Sequence, residues 1–227
     1  ATDRVVSSGS QVAGPVPAFR AAASQESKSN LVINKPTGTV AGDVLVAQVT
    51  TNATRPLTAP TGWTLVNLTT SGIIKSGVWY RVVQSGDPAS WTWSFSGVTG
   101  QAAGGIAAYT GVDPASPVDG WAVSTGLASS SHQAPSVTAS TVNGRLLVLV
   151  GLSTQTSAVP AAGMTERWDK ASNSLLAPDR VTSETADQGL VSSGATGTRT
   201  GTSPVAVASV RHSLVLKPLT QSGVTRY

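Results

Sequence analysis

The chain has 227 residues, of which 40% are hydrophobic and only 11% are charged. A chain of this length buries ~70% of its unfolded surface and so builds a core without covalent staples. The absence of cysteine excludes disulfides, a thiol nucleophile and a thiolate zinc site. The abundance of Gly, Pro, Ser and Thr is typical of short strands joined by tight turns, not of a charge-driven disordered chain.

The net charge of +4 does not by itself indicate an acidic partner. The 15 basic residues are scattered singly, so the sequence lacks the dense phosphate-neutralising patch of a nucleic-acid-binding protein. The longest apolar run, Leu146 to Val150, is far shorter than the ~20 residues of a membrane-spanning helix. We therefore predict no nucleic-acid partner and no membrane insertion.

The first thirty residues predict a loosely structured N-terminal arm, since small polar residues dominate positions 1–30 and hydrophobic periodicity is weak there. From Leu31 to residue 218, β-branched and aromatic residues alternate between Gly, Pro and Asp turns, which predicts strands. Residues 219–227 are the predicted C-terminal tail. The strands predicted in the first half are, in chain order, 44–49, 63–68, 77–83, 90–95 and 106–109.

The second half repeats landmarks of the first. Val142-Asn143-Gly144-Arg145 echoes Val40-Ala41-Gly42-Asp43 about 100 positions later, which predicts two similar halves, 31–127 and 135–218. Either two sandwiches lie in tandem or both halves build a single one. We favour one antiparallel, jelly-roll-like β-sandwich, all-β, because each half has too few strands for a thick core of its own.

Enzyme templates are missing from the sequence. His132 and His212 stand alone, whereas a catalytic zinc usually needs three protein ligands. Neither a nucleophile elbow nor a phosphate-binding loop occurs. We therefore predict no cofactor, no metal and no enzymatic activity.

Glycan hydrolysis would need two carboxylates about 5–9.5 Å apart. The candidate pairs are Asp113 with Asp119 and Glu166 with Asp169. Each member of the first pair precedes a turn-forming Pro or Gly, so turn formation explains both. A hydrolase that uses Asp113 and Asp119 is therefore retained only as an alternative.

The aromatic residues predict a contact site. Trp91 and Trp93 alternate along one predicted strand and share a face, which either packs in the core, as we favour, or stacks on a sugar ring. Trp121 follows a loop-rich stretch and is the better candidate for surface contact. With Tyr109 and Asp119 it forms the predicted ligand-binding site, which Trp91 and Trp93 join if their face is exposed.

Short strings spread over residues 31–218 carry a resemblance. They include Ala41-Gly42-Asp43-Val44-Leu45-Val46, Pro60-Thr61-Gly62-Trp63-Thr64, Ser85-Gly86-Asp87-Pro88 and Leu214-Val215-Leu216-Lys217-Pro218. As a set they resemble a loosely defined group of bacterial and phage β-sandwich modules. The resemblance implies a non-catalytic display or adhesion unit, of the kind found in secreted actinobacterial proteins and in virion or tail proteins of phages.

We therefore expect a structural protein that decorates a larger assembly, namely the surface of a phage virion. The expected partner is a capsid or tail protein of the same particle, bound through residues 1–30, with the chain present in several copies or as a homo-oligomer. The main alternative is a secreted carbohydrate-binding module, and the two readings overlap if a decoration protein also contacts a host-surface glycan.

Overall fold

The computed structural model describes residues 11–53, 55–95, 101–175 and 179–222. These residues form an all-β structure in which every strand pairing is antiparallel, which confirms the predicted fold class. The first eight strands are β1 Gln11–Ala13, β2 Ala18–Ser27, β3 Leu31–Asn34, β4 Val44–Asn52, β5 Thr64–Ser71, β6 Ile74–Val82, β7 Ser90–Trp93 and β8 Ala102–Thr110. The others are β9 Val118–Ala134, β10 Thr138–Ala139, β11 Arg145–Leu152, β12 Thr165–Ala171, β13 Thr182–Gly189, β14 Gly194–Ala195, β15 Arg199–Leu216 and β16 Thr220–Ser222.

Each half of the chain forms its own five-stranded sheet. The strand order is β2-β8-β4-β6-β5 in the first sheet and β9-β15-β11-β13-β12 in the second, so that β2 corresponds to β9, β8 to β15, and so on across the sheet. A small pair, β3–β7 in the first half and β10–β14 in the second, repeats the correspondence. The weak repeat in the sequence is therefore a repeat of topology.

The two large sheets pack face to face and enclose the central core, so the molecule is one sandwich in which each half supplies one layer. Side chains alternate along β4: Val44 and Val46 face the second sheet, while Leu45 and Ala47 face outward under the β3–β7 pair. Both faces of the central strands are thus buried. The uninterrupted apolar runs of the sequence follow from this.

The halves begin earlier in the chain than predicted. Ala18–Ser27, within the predicted arm, is the edge strand β2 and pairs with β8 along its length. Its alanine-rich sequence shows little apolar alternation because β2 lies at a sheet edge beside β12 of the other sheet, where small side chains suffice. Val118–Ala134 is likewise strand β9, so the second half starts near Val118 and not at residue 135.

The ends of the described chain are also paired. Gln11–Ala13 of the predicted arm forms β1, and Thr220–Ser222 of the predicted tail forms β16, which is its antiparallel partner. Residues 1–10 and 223–227, the remainder of the predicted arm and tail, lie outside the described residues.

A layer of buried polar side chains ties one sheet to the other. Gln48 of β4 donates from Nε2 to Ser76 Oγ (3.2 Å) within the first sheet. Its Oε1 accepts hydrogen bonds from Ser183 Oγ (2.9 Å) and Thr185 Oγ1 (3.3 Å) of the second sheet. Because a buried amide must be fully hydrogen-bonded, this contact selects one alignment of the two sheets.

Trp168 of β12 lies against Gly105 of β8 in the facing sheet. A Cβ atom at position 105 would lie 2.6 Å from the indole ring, so only glycine leaves room for it. The ring is 5% exposed and its Nε1 donates to Ser183 Oγ (3.3 Å), which makes Trp168 part of the central core.

Candidate functional site

Three of the predicted ligand-binding residues are buried. Trp91 and Trp93 are 4% and 0% exposed. They project from β7 onto the outward face of the first sheet and pack there with Trp63. Tyr109 is fully buried at the end of β8, where its hydroxyl donates to Asp187 Oδ2 (2.7 Å). This confirms the core placement favoured for Trp91 and Trp93. The predicted surface site of Trp121 with Tyr109 is wrong, because strand alternation turns Tyr109 inward.

Trp121 is exposed, but it lies in a strand and not in the predicted loop. It is part of β9, opposite Leu214 of β15, and 46% of its surface is exposed because β9 is the edge strand of the second sheet. Asp119, two positions earlier, accepts hydrogen bonds from the backbone N–H of Ser140 (2.7 Å) and from the Ser140 hydroxyl. Asp119 therefore fastens β9 to a neighbouring turn.

Asp113 and Asp119, the pair considered for a hydrolase, bond to two different turns. Asp113 forms an ion pair with Lys217 (3.3 Å) and accepts a hydrogen bond from the backbone N–H of Ala115 (3.0 Å). Asp119 is engaged by Ser140, as described above. The structure thus gives each carboxylate a local bonding role, as turn formation in the sequence suggests.

The structure reveals a buried ion cluster at Asp187 of β13, which the sequence did not indicate. Asp187 is 1% exposed and accepts from Arg167 Nε (2.7 Å) and Nη2 (2.8 Å) and from Arg145 Nη1 (2.6 Å). The Arg167 guanidinium also lies 4.0 Å above the ring of Phe19. Burial, reinforced by the Asp187 charge, raises the pKa of Tyr109 well above its usual value. The cluster joins the first sheet to the second.

A second group missed by the sequence is an acid pair formed by the buried Glu184 and the half-buried Asp169. Asp169 of β12 lies directly opposite Glu184 of β13, so their side chains share the outward face of the second sheet. The backbone N–H of Ala158 donates to Asp169 Oδ2 (3.0 Å), while Glu184 Oε1 has no partner among the described residues. Burial raises the pKa of Asp169 to about 6 and that of Glu184 well above its usual value, and Glu166 adds to both shifts. The sequence paired Asp169 with Glu166 because they are near neighbours, whereas Glu184 comes alongside only through strand pairing.

Replacement of Glu184 by glutamine tests this acid pair. Burial raises the pKa of Glu184 in the folded protein above its ordinary value of 4.5, so this contribution to stability is complete below pH 4.5 and is lost as pH rises through the folded-state pKa. The difference in unfolding free energy between Glu184→Gln and the wild-type chain should therefore grow with pH, by about 1.4 kcal/mol per pH unit while the acid titrates in the unfolded state only. Urea unfolding at several pH values between 4.5 and 8 measures it.

The wild-type chain alone would not give a clear result, because burial lowers the pKa of both His132 and His212 to about 4. These two groups make stability rise between that value and their ordinary pKa of 6.5, against the trend of the acids. A Glu184→Gln difference that stays constant with pH would contradict a raised pKa at Glu184.

One end of the sandwich combines the first and last strands of the described residues with exposed apolar side chains. Strands β4 and β11 begin at this end, and β1 and β16 pair beside it, with the Gly14 N–H donating to the Leu219 carbonyl (2.8 Å). We call it the terminal end. Large apolar side chains that are exposed at the terminal end are Val12, Val40, Trp121, Val142, Val191 and Leu219.

A shallow groove lies beside β13 on the second half. Arg199 occupies it, with its guanidinium held by Gln188 Oε1 (3.2 Å from Nε) and by the Thr196 carbonyl (2.8 Å from Nη1). The groove has a volume of about 400 Å³ and is lined by Ala161, Ala162, Gln188, Thr198, Arg199 and Thr200. Its one charged group is already satisfied by protein acceptors.

Within the described part of the chain, no three His, Asp or Glu side chains lie close enough together to hold a metal ion. In the same residues, no helix has the length and apolarity that crossing a membrane requires.

Comparison of the chain with protein-family models, with curated proteins and with solved structures found no match.

Proposed function

We propose that the chain is a non-enzymatic structural protein that decorates the surface of a larger assembly, and that it attaches through the terminal end. The assembly proposed is the phage virion that the sequence resemblance implies, with a capsid or tail protein as the partner and several copies per particle. The proposal places the opposite end of the sandwich outward, where it is free for adhesion.

The supporting observation is that the paired strands β1 and β16 lie beside exposed apolar side chains. Val191 at the terminal end is 85% exposed, and Val142, Val40 and Trp121 lie at the same end. An apolar surface beside the point where residues 1–10 continue from β1 suits a partner interface, because burying such side chains is favourable. The buried Asp187 carboxylate is held by Arg145 and Arg167, and the Asp169 carboxylate accepts from the Ala158 N–H, which fits a structural role.

The proposal is tested by binding of the recombinant chain to particles that lack it. We expect the wild-type chain to co-sediment with such particles and to restore a surface feature, while the shell itself is intact without it. Val191→Asp should weaken co-sedimentation, because it places a charge in the proposed interface. A chain recovered only as a free monomer from the culture medium, with no particle present, would contradict the proposal.

Leu175→Asp is the matched control. Leu175 is 92% exposed, as fully as Val191, but follows β12 at the opposite end of the sandwich. Neither substitution disturbs the core, so both variants should fold normally. Equal loss of particle binding in the two variants would show that attachment does not use the terminal end.

A second candidate function is binding of a glycan through Trp121. The observation in its favour is the 46% exposure of an indole on an edge strand, since a sugar ring stacks on an accessible aromatic face. Glycan-array screening of the wild-type chain and Trp121→Ala tests it, with Trp121→Phe as the variant that keeps an aromatic face. Binding should be lost with alanine and partly retained with phenylalanine. Signals at background level for the wild-type chain would exclude this function.

A further inference from the structure

The ribbon formed by β9 and β15 folds back over the outward face of the second sheet. Its regular register is interrupted between Thr202 and Ser209, and the Ser124 hydroxyl donates to the Gln133 carbonyl (3.2 Å) of the same strand, 9 positions later. The side chains that β9 and β15 project on this outward face of the sheet are therefore enclosed between the two parts of the ribbon. Arg211 is one of them.

Arg211 is a buried cation without a counter-charge. It is 8% exposed, and among the described residues its Nε has no hydrogen-bond partner and no carboxylate forms an ion pair with it. The nearest acid across the sheet is Glu184, but Val150 of β11 lies between them, opposite both. Two strand spacings separate the two backbones by roughly 10 Å. Burial also raises the pKa of Glu184, which disfavours its charged form. An unpaired buried charge of this kind is strongly unfavourable.

Two other unpartnered polar atoms lie near the Arg211 guanidinium. A Cβ atom on Gly126 would lie 2.9 Å from Arg211 Nη1, so the guanidinium occupies the space over this glycine. Gly126 pairs directly with Ser209, whose hydroxyl is fully buried and has no hydrogen-bond partner within the described part of the chain. His132 is 1% exposed, and its Nδ1 has no partner in the residues that the structure describes. It is close enough to Arg211 for the arginine charge to lower the histidine pKa.

The hydrogen bonds around His132 fix its tautomer. The Ser203 hydroxyl donates to the Val205 carbonyl (2.7 Å), so its oxygen accepts from His132 Nε2 (2.8 Å). Nε2 therefore carries the proton of the neutral ring, and Nδ1 presents a lone pair. The space around the Arg211 guanidinium thus contains hydrogen-bond donors from Arg211 and Ser209 and one basic nitrogen, Nδ1 of His132.

We propose that Arg211, Ser209 and His132 form a binding site for a small oxyanion. The guanidinium and the Ser209 hydroxyl donate to the oxygens of the ion, which supplies the missing counter-charge. His132 takes up a proton at Nδ1 when the ion binds and donates it as a third hydrogen bond. The Arg211 surface that remains accessible, beside the exposed Leu127 of the edge strand, is the route of entry.

Binding of the ion is expected to strengthen as pH falls. In the empty site, burial and the Arg211 charge lower the pKa of His132 to about 4. An anion at Arg211 cancels that repulsion and favours the imidazolium, so the bound state holds more protons than the free state. By linkage, affinity must then rise as pH falls from about 6.5 toward 4.

Calorimetric titration with sodium sulfate at constant ionic strength, at pH 5.5 and 7.5, tests the proposal. We expect saturable binding by the wild-type chain, several-fold tighter at pH 5.5, and at least ten-fold weaker in Arg211→Met. Sodium acetate in a parallel titration distinguishes a carboxylate ligand from a tetrahedral oxyanion. No saturable binding of either ion by the wild-type chain would mean that the proposed site holds only water, and would overturn the proposal.

Arg199→Met is the matched control, because the Arg199 guanidinium already has protein acceptors in Gln188 and Thr196. This variant should bind sulfate like the wild-type chain, which separates the site from general salt effects of sulfate. If Arg211→Met fails to fold, Ser209→Ala removes one donor with almost no change in volume and should bind several-fold more weakly. Equal sulfate affinity in the wild-type chain and in Ser209→Ala and Arg211→Met would likewise overturn the proposal.

Discussion

Replacement of Asp187 by asparagine should lower the free energy of unfolding by about 3–5 kcal/mol, because it removes the charge that two arginines share in a buried cluster. Arg145 and Arg167 both bond to this carboxylate, and Asp187 is 1% exposed. Asparagine keeps the size of the side chain, so the loss reports charge and hydrogen bonding and not packing. Urea unfolding, read from the midpoint and slope, measures it.

Asp113→Asn is the control for this experiment. Asp113 also forms an ion pair, with Lys217, but both side chains reach solvent, at 15% and 27% exposure. Pairs near the surface contribute at most about 1 kcal/mol, so this variant should remain close to the wild-type chain. Similar losses at Asp187 and Asp113 would show that the Asp187 cluster is not the rigid link between the sheets that its geometry indicates.

Replacement of Trp93 by alanine should cost about 3–5 kcal/mol of unfolding free energy, since it leaves a large cavity in a packed core. Trp93 is 0% exposed, and its ring centroid lies 5.1 Å from that of Trp63 and 6.2 Å from that of Trp79. The outward face of the first sheet, which these rings cover, would lose its packing against the β3–β7 pair. Urea unfolding of Trp93→Ala measures the loss, and Trp93→Phe should recover part of it.

Trp121→Ala is the matched aromatic control. The indole of Trp121 is 46% exposed, so its removal leaves no internal cavity and should cost about 1 kcal/mol or less. Equal destabilisation by the two alanine variants would contradict the assignment of Trp93 to the core and of Trp121 to the surface.

The sequence predicted much of the architecture because strand signals are local. Alternation along Trp91 and Trp93, and turns such as Ala41-Gly42-Asp43, specify strands and their ends within a few residues. The repeat of Val40–Asp43 in Val142–Arg145 was visible for the same reason. Strand β2 was not predicted, because an alanine-rich edge strand shows little difference in polarity between its two faces.

The candidate sites were predicted less well, because their members come together only through pairing of distant strands. Asp187 meets Tyr109 from 78 positions away, across two sheets, and no local pattern indicates that contact. Glu184 joins Asp169, and Arg211 joins His132, in the same way. Residues that the sequence did single out, such as Trp121, owe their exposure to the position of β9 at a sheet edge.

The amino-acid sequence alone thus determined the fold class, the duplication and the faces of the strongly alternating strands, since period-two alternation and turn residues act over short distances. The tertiary structure decided which halves form which layer, which polar groups lose contact with water, and which aromatic side chains keep it. These properties depend on strand order and on the stacking of the two sheets. Both are set by contacts between residues far apart in the chain.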